Sequence, residues 1–518
     1  MRSTFYGLEI AKTGLFVSRN EMDITGHNIS NVDTVGYTRQ RLSTEAIPAA
    51  QYGSFLKPDL SGLSGKGVRT IRVDQVRNPF LDIQYRKESA TAAKWSMQEQ
   101  YFGYVEALFN NELDNMETST GLSGMFGNLY SSLDKLAQGM TPDSEMRTNV
   151  RVSAESLISS LHYTYGRLVE QQQTLDQTVE VTVGYINDYA KEIAALNEQI
   201  FSYELSGAKA NDLRDQRNLL VDELAEIVDI TYNEDGNGYY SIEMDGQYLV
   251  RHTQYKTLAT DKTLANPAGG TLNNLNEIYW ADSKGNPTSK KVEVRDGALY
   301  GYLQVRDGSS DDNYGIPHVV NKLNSLAQMI VTEFNAIHEK GWTMPYTDPA
   351  TGTTTASRTG VKFFDDMGDV TQVTAGNISL SQDIKDSVYN IAASDVEVAQ
   401  AGEENEQRGN NLIANELCQL LTRKDAAGND DNFDGVYTEI VTGIATAQNH
   451  FNTLASSQTV VATQVDEQRK SVSGVSLDEE MTNVVRFGHA YNAASRVITA
   501  IDEELDVLIN KMGLVGRA

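Results

Sequence analysis

The sequence of 518 residues has a single cysteine, Cys418, only nine prolines, and nowhere eighteen consecutive apolar residues. One cysteine excludes an internal disulfide, and with it the disulfide-stapled secreted modules. The missing apolar run excludes a membrane-spanning helix. Positive charge is also scarce: 43 Lys and Arg stand against 71 Asp and Glu, a net charge of −28. That balance argues against nucleic acid and against anionic membrane surfaces as partners. The first twenty residues, interrupted by Glu9 and Lys12, hold no signal-peptide core. The expectation is a soluble, acidic chain of about three or four domains, either cytoplasmic or exported without a cleaved signal.

Catalytic signatures are missing as well. The seven histidines never fall as a closely spaced pair, and no GxxxxGK[ST], GxGxxG or GxSxG stretch occurs. Asp430, Asn432, Asp434 and Gly435 match the first half of a calcium loop, but its last position is Val441 rather than a bidentate glutamate, and Glu439 comes two residues early. Acid pairs such as Glu403-Glu404 and Glu479-Glu480 read as solvated faces. Cys418 lies in the apolar-spaced run Leu412 to Leu421 and reads as a buried small hydrophobe. Neither a catalytic residue, a metal site nor a cofactor is expected.

What is present is periodicity at both ends. Val484, Tyr491, Ile498, Leu505 and Met512 recur every seventh residue, with Phe487, Ala494, Ile501 and Leu508 at plus three. Leu8, Leu15, Met22 and Ile29 do the same near the start, with the small residues Ala11, Ser18 and Thr25 at plus three. Each end reads as a helix with one narrow stripe that another helix has to cover. They suit core helices of separate domains or a mutual pair. Charge favours the pair: residues 1–80 carry ten basic and seven acidic side chains, residues 465–518 six and nine.

Between the ends, residues 30–78 read as an extended connector broken by Gly36, Pro48, Gly53, Pro58, Gly62, Gly65 and Gly67, ending in an alternating strand from Val68 to Val73. Residues 79–228 read as helical, with a long helix over Thr174 to Leu205 and a helix start at Thr141-Pro142. Asp235-Gly236 and Asp245-Gly246 mark hairpins. Ile278 to Trp280, Val292 to Arg295 and Leu299 to Val305 read as further strands. Helix resumes after Pro317, with Val320, Leu323, Leu326, Ile330, Phe334 and Ile337 on one face, and a last helical stretch covers about 395–470. The predicted fold class is mainly α with a β-rich insertion. Its expected parts are paired N- and C-terminal helices with the connector (1–78 plus 465–518), a helical bundle rod domain (79–229 plus 317–464) and an inserted β-rich outer domain (230–316).

Five segments carry a resemblance. NISNVDTVGYTRQR from Asn28 resembles the N-terminal motif of flagellar rod, hook and hook-associated proteins, with Val35 where proline is common. SGVSLDEEMTNVVRFGHAYNAASRVI from Ser473 resembles their C-terminal motif. VDQVRNPFLDIQYR from Val73, NDLRDQRNLLVDELAEIVDI from Asn211 and EFNAIHEKG from Glu333 are similar to the bacterial flagellar hook-associated protein 1 family in particular. The resemblance implies an elongated multidomain axial protein, exported unfolded by the flagellar type III system, that polymerises at the distal end of the hook and connects it to the filament. The implied partners are further copies of itself in a ring, hook protein, hook-associated protein 3 and a flagellar export chaperone. The implied assembly residues are Leu8, Leu15, Met22, Asn28, Ile29, Asn31, Gly36, Tyr37, Arg39 and Gln40 at the N-terminus. In the C-terminal helix, Val484, Phe487, Tyr491, Ile498, Ile501, Leu505 and Leu508 would serve both assembly and chaperone binding. The terminal segments would be flexible in the isolated chain. A hook- or flagellin-type axial subunit is the alternative within that system. A cytoplasmic coiled-coil scaffold satisfies the heptads alone, and an activity hidden in the β insertion has no residue to support it.

Overall fold

The computed structural model describes residues 5–48, 65–113, 121–139, 143–205, 207–236, 238–269, 272–347, 354–399, 409–423 and 432–511. Its helices are α1 (Tyr6–Ser30), α2 (Pro79–Leu113), α3 (Leu122–Ala137), α4 (Asp143–Glu204), α5 (Asn211–Ile227), α6 (Ala298–Asp307), α7 (Ile316–His338), α8 (Gln382–Asp386), α9 (Leu412–Leu421), α10 (Phe433–Ser473) and α11 (Leu477–Asp506). Antiparallel strands β1 (Gln40–Ala46) and β2 (Val68–Gln75) pair with each other. A second sheet joins β3 (Thr231–Glu234), β4 (Tyr240–Met244), β5 (Gln247–Arg251) and β6 (Gln254–Tyr255) in chain order. A third joins β7 (Leu258–Leu264), β8 (Leu275–Ala281) and β9 (Pro287–Lys291). The fold is mainly helical with small sheets.

Two apolar cores hold the middle of the chain. One gathers α2, α3, the first half of α4, α7, α9 and α10 around residues such as Phe102, Leu133, Leu161, Leu323, Phe334 and Phe433. The face expected on α7 is buried there, Ile337 partly so, and Asn335 and His338 on the same helix clamp the chain that follows. Asn335 Oδ1 accepts from the backbone nitrogens of Phe363 and Phe364, both at 2.9 Å, and its amide nitrogen donates to the Phe364 carbonyl at 2.9 Å. His338 Nδ1 lies 2.7 Å from the Val361 carbonyl, and its Nε2 accepts from Ala392 N at 2.8 Å. Gly341 closes this region because a Cβ there would stand 2.7 Å from the Ala392 Cβ. The EFNAIHEKG segment is thus a packing device.

The other core joins the second half of α4 and α5 to the inner face of the sheets, with Val179, Ile186, Ile193, Val221 and Leu224 meeting Ile242, Leu249, Ile278 and Trp280. The Asp245-Gly246 turn between β4 and β5 takes positive φ at both residues, 50° and 66°, the two-residue hairpin geometry that this dipeptide favours.

Several expectations are corrected. Leu299 to Val305 is helix, the core of α6, not a strand: Leu299 and Val305 are buried at helical spacing and Gly297 precedes the first turn with φ 91°. Val292 to Arg295 follows β9 without joining a strand. The last helical stretch starts at Leu412 rather than near 395, and the described residues 395–399 and 409–411 are not helical. The connector contains β1, which the sequence reading missed. Asn432 caps α10, its Oδ1 accepting from Gly435 N at 2.8 Å, and Asp434 lies in the first turn, so this acidic cluster starts a helix. Asp430, Met512, the Thr141-Pro142 start and Glu403-Glu404 lie outside the described residues.

Candidate functional site

The two terminal helices meet. α1 runs antiparallel to α11: Gly7 lies against Ile501, Met22 against Gly488, and Asn28 against Glu480. A Cβ on Gly7 would come 3.2 Å from the Ile501 methyl, so the glycine allows close approach there. On α1 the small residues Ala11, Ser18 and Thr25 are buried, while Leu8, Leu15, Met22 and Ile29 are half-buried. On α11, Phe487, Tyr491, Ile498, Ile501 and Leu505 are half-buried, whereas Val484 and Leu508 are exposed. Leu508 lies past the regular helix, in the wider turn Val507–Lys511. Among the described residues of α11, Glu480 alone is fully buried. Further apolar side chains stand in solvent: Met481, Val485 and Val497 on α11, Phe16 on α1. One helix covers part of the other's stripe, and a wide apolar surface stays open.

The start of α11 follows from its sequence. Ser476 caps it, accepting from Glu479 N at 3.5 Å, and Asp478, Glu479 and Glu480 place negative charge at the positive end of the helix dipole. Asn28, near the end of α1, then ties the pair to the following loop. Its Oδ1 accepts from the Tyr37 hydroxyl at 2.8 Å and Gln40 N at 3.0 Å; its Nδ2 donates to Gln40 O at 3.0 Å and Glu480 Oε2 at 3.2 Å. All four of its hydrogen-bonding positions are used. Arg39 bridges to the other helix, with Nε 2.8 Å from Glu480 and Nη1 2.9 Å from Glu479, while its backbone N donates to Ser473 O. Asn31 closes α1 by donating back to His27 O at 2.9 Å. Gly36 takes φ 80°, and a Cβ there would stand 3.3 Å from Leu219 of α5. Val35 beside it is 79 % exposed.

From here α5 is the plate on which everything docks. Gln40 donates to Asp212 at 2.9 Å and accepts from Asn211 at 3.2 Å. Thr38 N donates to Asp215 at 3.0 Å, and Gln75 of β2 reaches Asp215 at 2.7 Å and Asn211 O at 3.0 Å. Burial pushes the Asp215 carboxyl up to about 6, against the Thr38 hydrogen bond and Arg77, which lower it. Burial, then Asp212, Asp215 and Glu480, hold the Tyr37 hydroxyl above its usual range. Further along α5, Asp222 receives both Arg86 of α2 and Arg469 of α10 at 2.6 Å, and Arg469 stacks over Tyr85 at 3.8 Å. No described residue of α1, β1, β2 or α11 belongs to either apolar core. Apart from the Gly36 contact, the docking contacts named here are polar.

The structure therefore brings together Asn28, Tyr37, Arg39 and Gln40 in one network with Gly36 beside it, and sets the two stripes against each other. Sequence reading missed Glu480, Asp215 and Asp222. Their signal was there: Asn211, Asp215, Asn218 and Asp222 recur at plus four, plus three and plus four, a polar face at helical spacing.

Comparison with known proteins shows what the chain resembles. Residues 110–354 match the family described as "Flagellar hook-associated protein FlgK helical domain", and residues 469–511 match "Flagellar basal body rod FlgEFG protein C-terminal". The chain is 29 % identical to flagellar hook-associated protein 1 of Bacillus subtilis across the whole of both chains. It is 25 % identical to the protein of that name in Escherichia coli, covering 96 % of this chain and 98 % of that one. The fold resembles the flagellar hook junction protein FlgK of Burkholderia pseudomallei with a TM-score of 0.57 at 16 % identity, over 75 % of this chain and all of the other. By these matches the chain resembles the flagellar hook-associated protein 1 family along its whole length.

Proposed function

We propose that this chain is a structural subunit of the bacterial flagellum, a hook-associated junction protein that polymerises at the distal end of the hook and connects it to the filament. The observation that carries the assembly step is the α1–α11 pair, whose outer apolar side chains remain exposed. Each of Met481, Val485 and Phe16, once buried by a neighbouring subunit, contributes about 1.5–3 kcal/mol before the costs of association. Further copies in a ring are the partners this surface fits first, with hook protein on one side and hook-associated protein 3 on the other. The same α11 face suits an export chaperone in the cytoplasm, and export through the type III apparatus suits a chain without disulfides.

In this reading the terminal pair is the assembly core, α2–α5, α7, α9 and α10 form the rod, and β3–β9 face outward on α4 and α5. The α5 plate fixes how the core is held against the rod. The role is structural rather than catalytic. Deleting residues 473–518 abolishes filament attachment on this account, and normally flagellated cells after that deletion would contradict it.

A further inference from the structure

Away from the terminal pair, α2, α6, α7 and α10 border an open cleft of 1270 Å³. Its floor is aromatic, with Trp95 stacked on Phe451 at 6.4 Å between centroids. Its α10 wall carries the small residues Gly443, Thr446 and Ala447 at helical spacing. The loop before α7 crosses one end: Tyr314 packs edge-on to Phe102 and approaches Gly443 so closely that a Cβ there would stand 2.9 Å from its hydroxyl.

The mouth of the cleft is acidic. Asp311 is 86 % exposed, with only the His318 ring within ion-pair distance among the described residues, at 3.2 Å. Asp312 beside it is exposed and makes no ion pair among the described residues. Glu439 on the opposite rim is 77 % exposed and has Lys322 no nearer than 3.9 Å. The remaining cation, Lys94, is already held 3.1 Å from Asp296 and lies over the Trp95 ring at 4.6 Å. On the floor, Gln98 is 5 % exposed, and its Oε1 has no donor among the described residues.

The volume exceeds the roughly 300–1,000 Å³ typical of small-molecule sites and suits a stretch of peptide. An aromatic floor takes apolar side chains, carboxylates at the rim take cations, and a buried lone acceptor takes a donor. We propose that this cleft is a docking groove for a basic amphipathic segment of a partner protein, which lays its apolar face on Trp95 and Phe451 and sets Lys or Arg against Asp311 and Asp312. This stands independently of the terminal assembly surface, since none of the groups involved lies on α1 or α11.

The test uses the full chain with the peptide Ac-LKKLLKLLKKLLKL-NH2 as probe, and as control the same peptide with every lysine replaced by glutamate. Titration calorimetry measures binding, and hydrogen-exchange mass spectrometry locates it. Binding of the lysine peptide alone, with protection confined to residues 322–329 and 436–451, is the expected result. Asp311→Asn with Asp312→Asn weakens binding about ten-fold, and Thr446→Trp, at an exposed wall position that leaves the core intact, removes it. Equal binding by the Thr446→Trp chain would mean attraction to the acidic body at large and would overturn the proposal. So would binding of the glutamate peptide, the absence of binding heat, or cleft protection that rises with protein concentration without peptide, which would make a second copy the occupant.

Discussion

Arg39 and Glu480 lie 441 positions apart in the chain and 2.8 Å apart in space, and Glu480 is 2 % exposed. This contact carries the closure of the terminal pair, because it joins the loop after α1 to the first turn of α11. Removing Arg39 leaves a buried carboxylate with only Asn28 and Asn483 as described partners. Arg39→Ala is expected to destabilise the pair by about 3 kcal/mol, whereas Glu480→Gln, which removes the charge together with the need to compensate it, costs less. Hydrogen exchange over residues 6–30 and 477–506 reads the difference, with α4 as the unaffected reference.

The same comparison in the unaltered chain tests how the terminal pair is attached. A module joined by polar contacts and sharing neither apolar core opens locally at low cost. Amides of α1 and α11 are expected to exchange well before those of the buried face of α4, and protection of α1 equal to that of α4 would contradict this.

Gly36 is a backbone requirement. With φ 80° and Leu219 3.3 Å from where a Cβ would stand, Gly36→Ala costs about 1–2 kcal/mol at the junction. Val35→Pro, at an exposed neighbouring position, is the milder change. Thermal melts of the two variants in parallel separate the two positions.

His338 makes stability fall on the acid side. Burial, with Arg147 adding to it, pushes its pKa down to about 4, while the Val361 carbonyl opposes the shift. Its neutral ring donates from Nδ1 and accepts at Nε2, and protonation loses the Ala392 bond. A folded pKa below the unfolded value near 6.5 means that this contribution is complete above about 6.5 and lost as pH falls towards 4. It amounts to about 3 kcal/mol. Melts between pH 4 and 7 show a slope that His338→Gln flattens.

Asn335 satisfies three backbone groups of Phe363 and Phe364 inside the core. Asn335→Ala strands all of them, at about 1–3 kcal/mol each, so a fall in melting temperature well beyond that of an exposed substitution is expected. Asn335→Asp keeps the two acceptor contacts but sets a buried carboxylate oxygen against the Phe364 carbonyl, so it too is destabilising, and calorimetry ranks the pair.

What the sequence made legible was what depends on local period. The stripes of α1 and α11, the apolar face of α7 and the Asp245-Gly246 turn repeat in the structure because helix pitch and turn geometry are set within a few residues. Leu299 to Val305 deceived because a short apolar run of mixed spacing suits strand and helix alike, and only packing on α2 and α4 decides. Strand β1 was hidden since its partner β2 lies beyond a long connection. In the candidate site, Asn28, Gly36, Tyr37, Arg39 and Gln40 were found through the resemblance. Glu480 and Asp215 were not, because a carboxylate in an acidic chain looks solvated until its cationic or N–H partner, far away in sequence, is placed beside it.

Where the chain assembles decides its role. Immunogold electron microscopy of sheared, purified flagella carrying an epitope-tagged chain tests this most directly. Gold confined to one point, where the hook meets the filament, is the predicted result. Label along the whole hook or the whole filament, or no label on flagella at all, would contradict it.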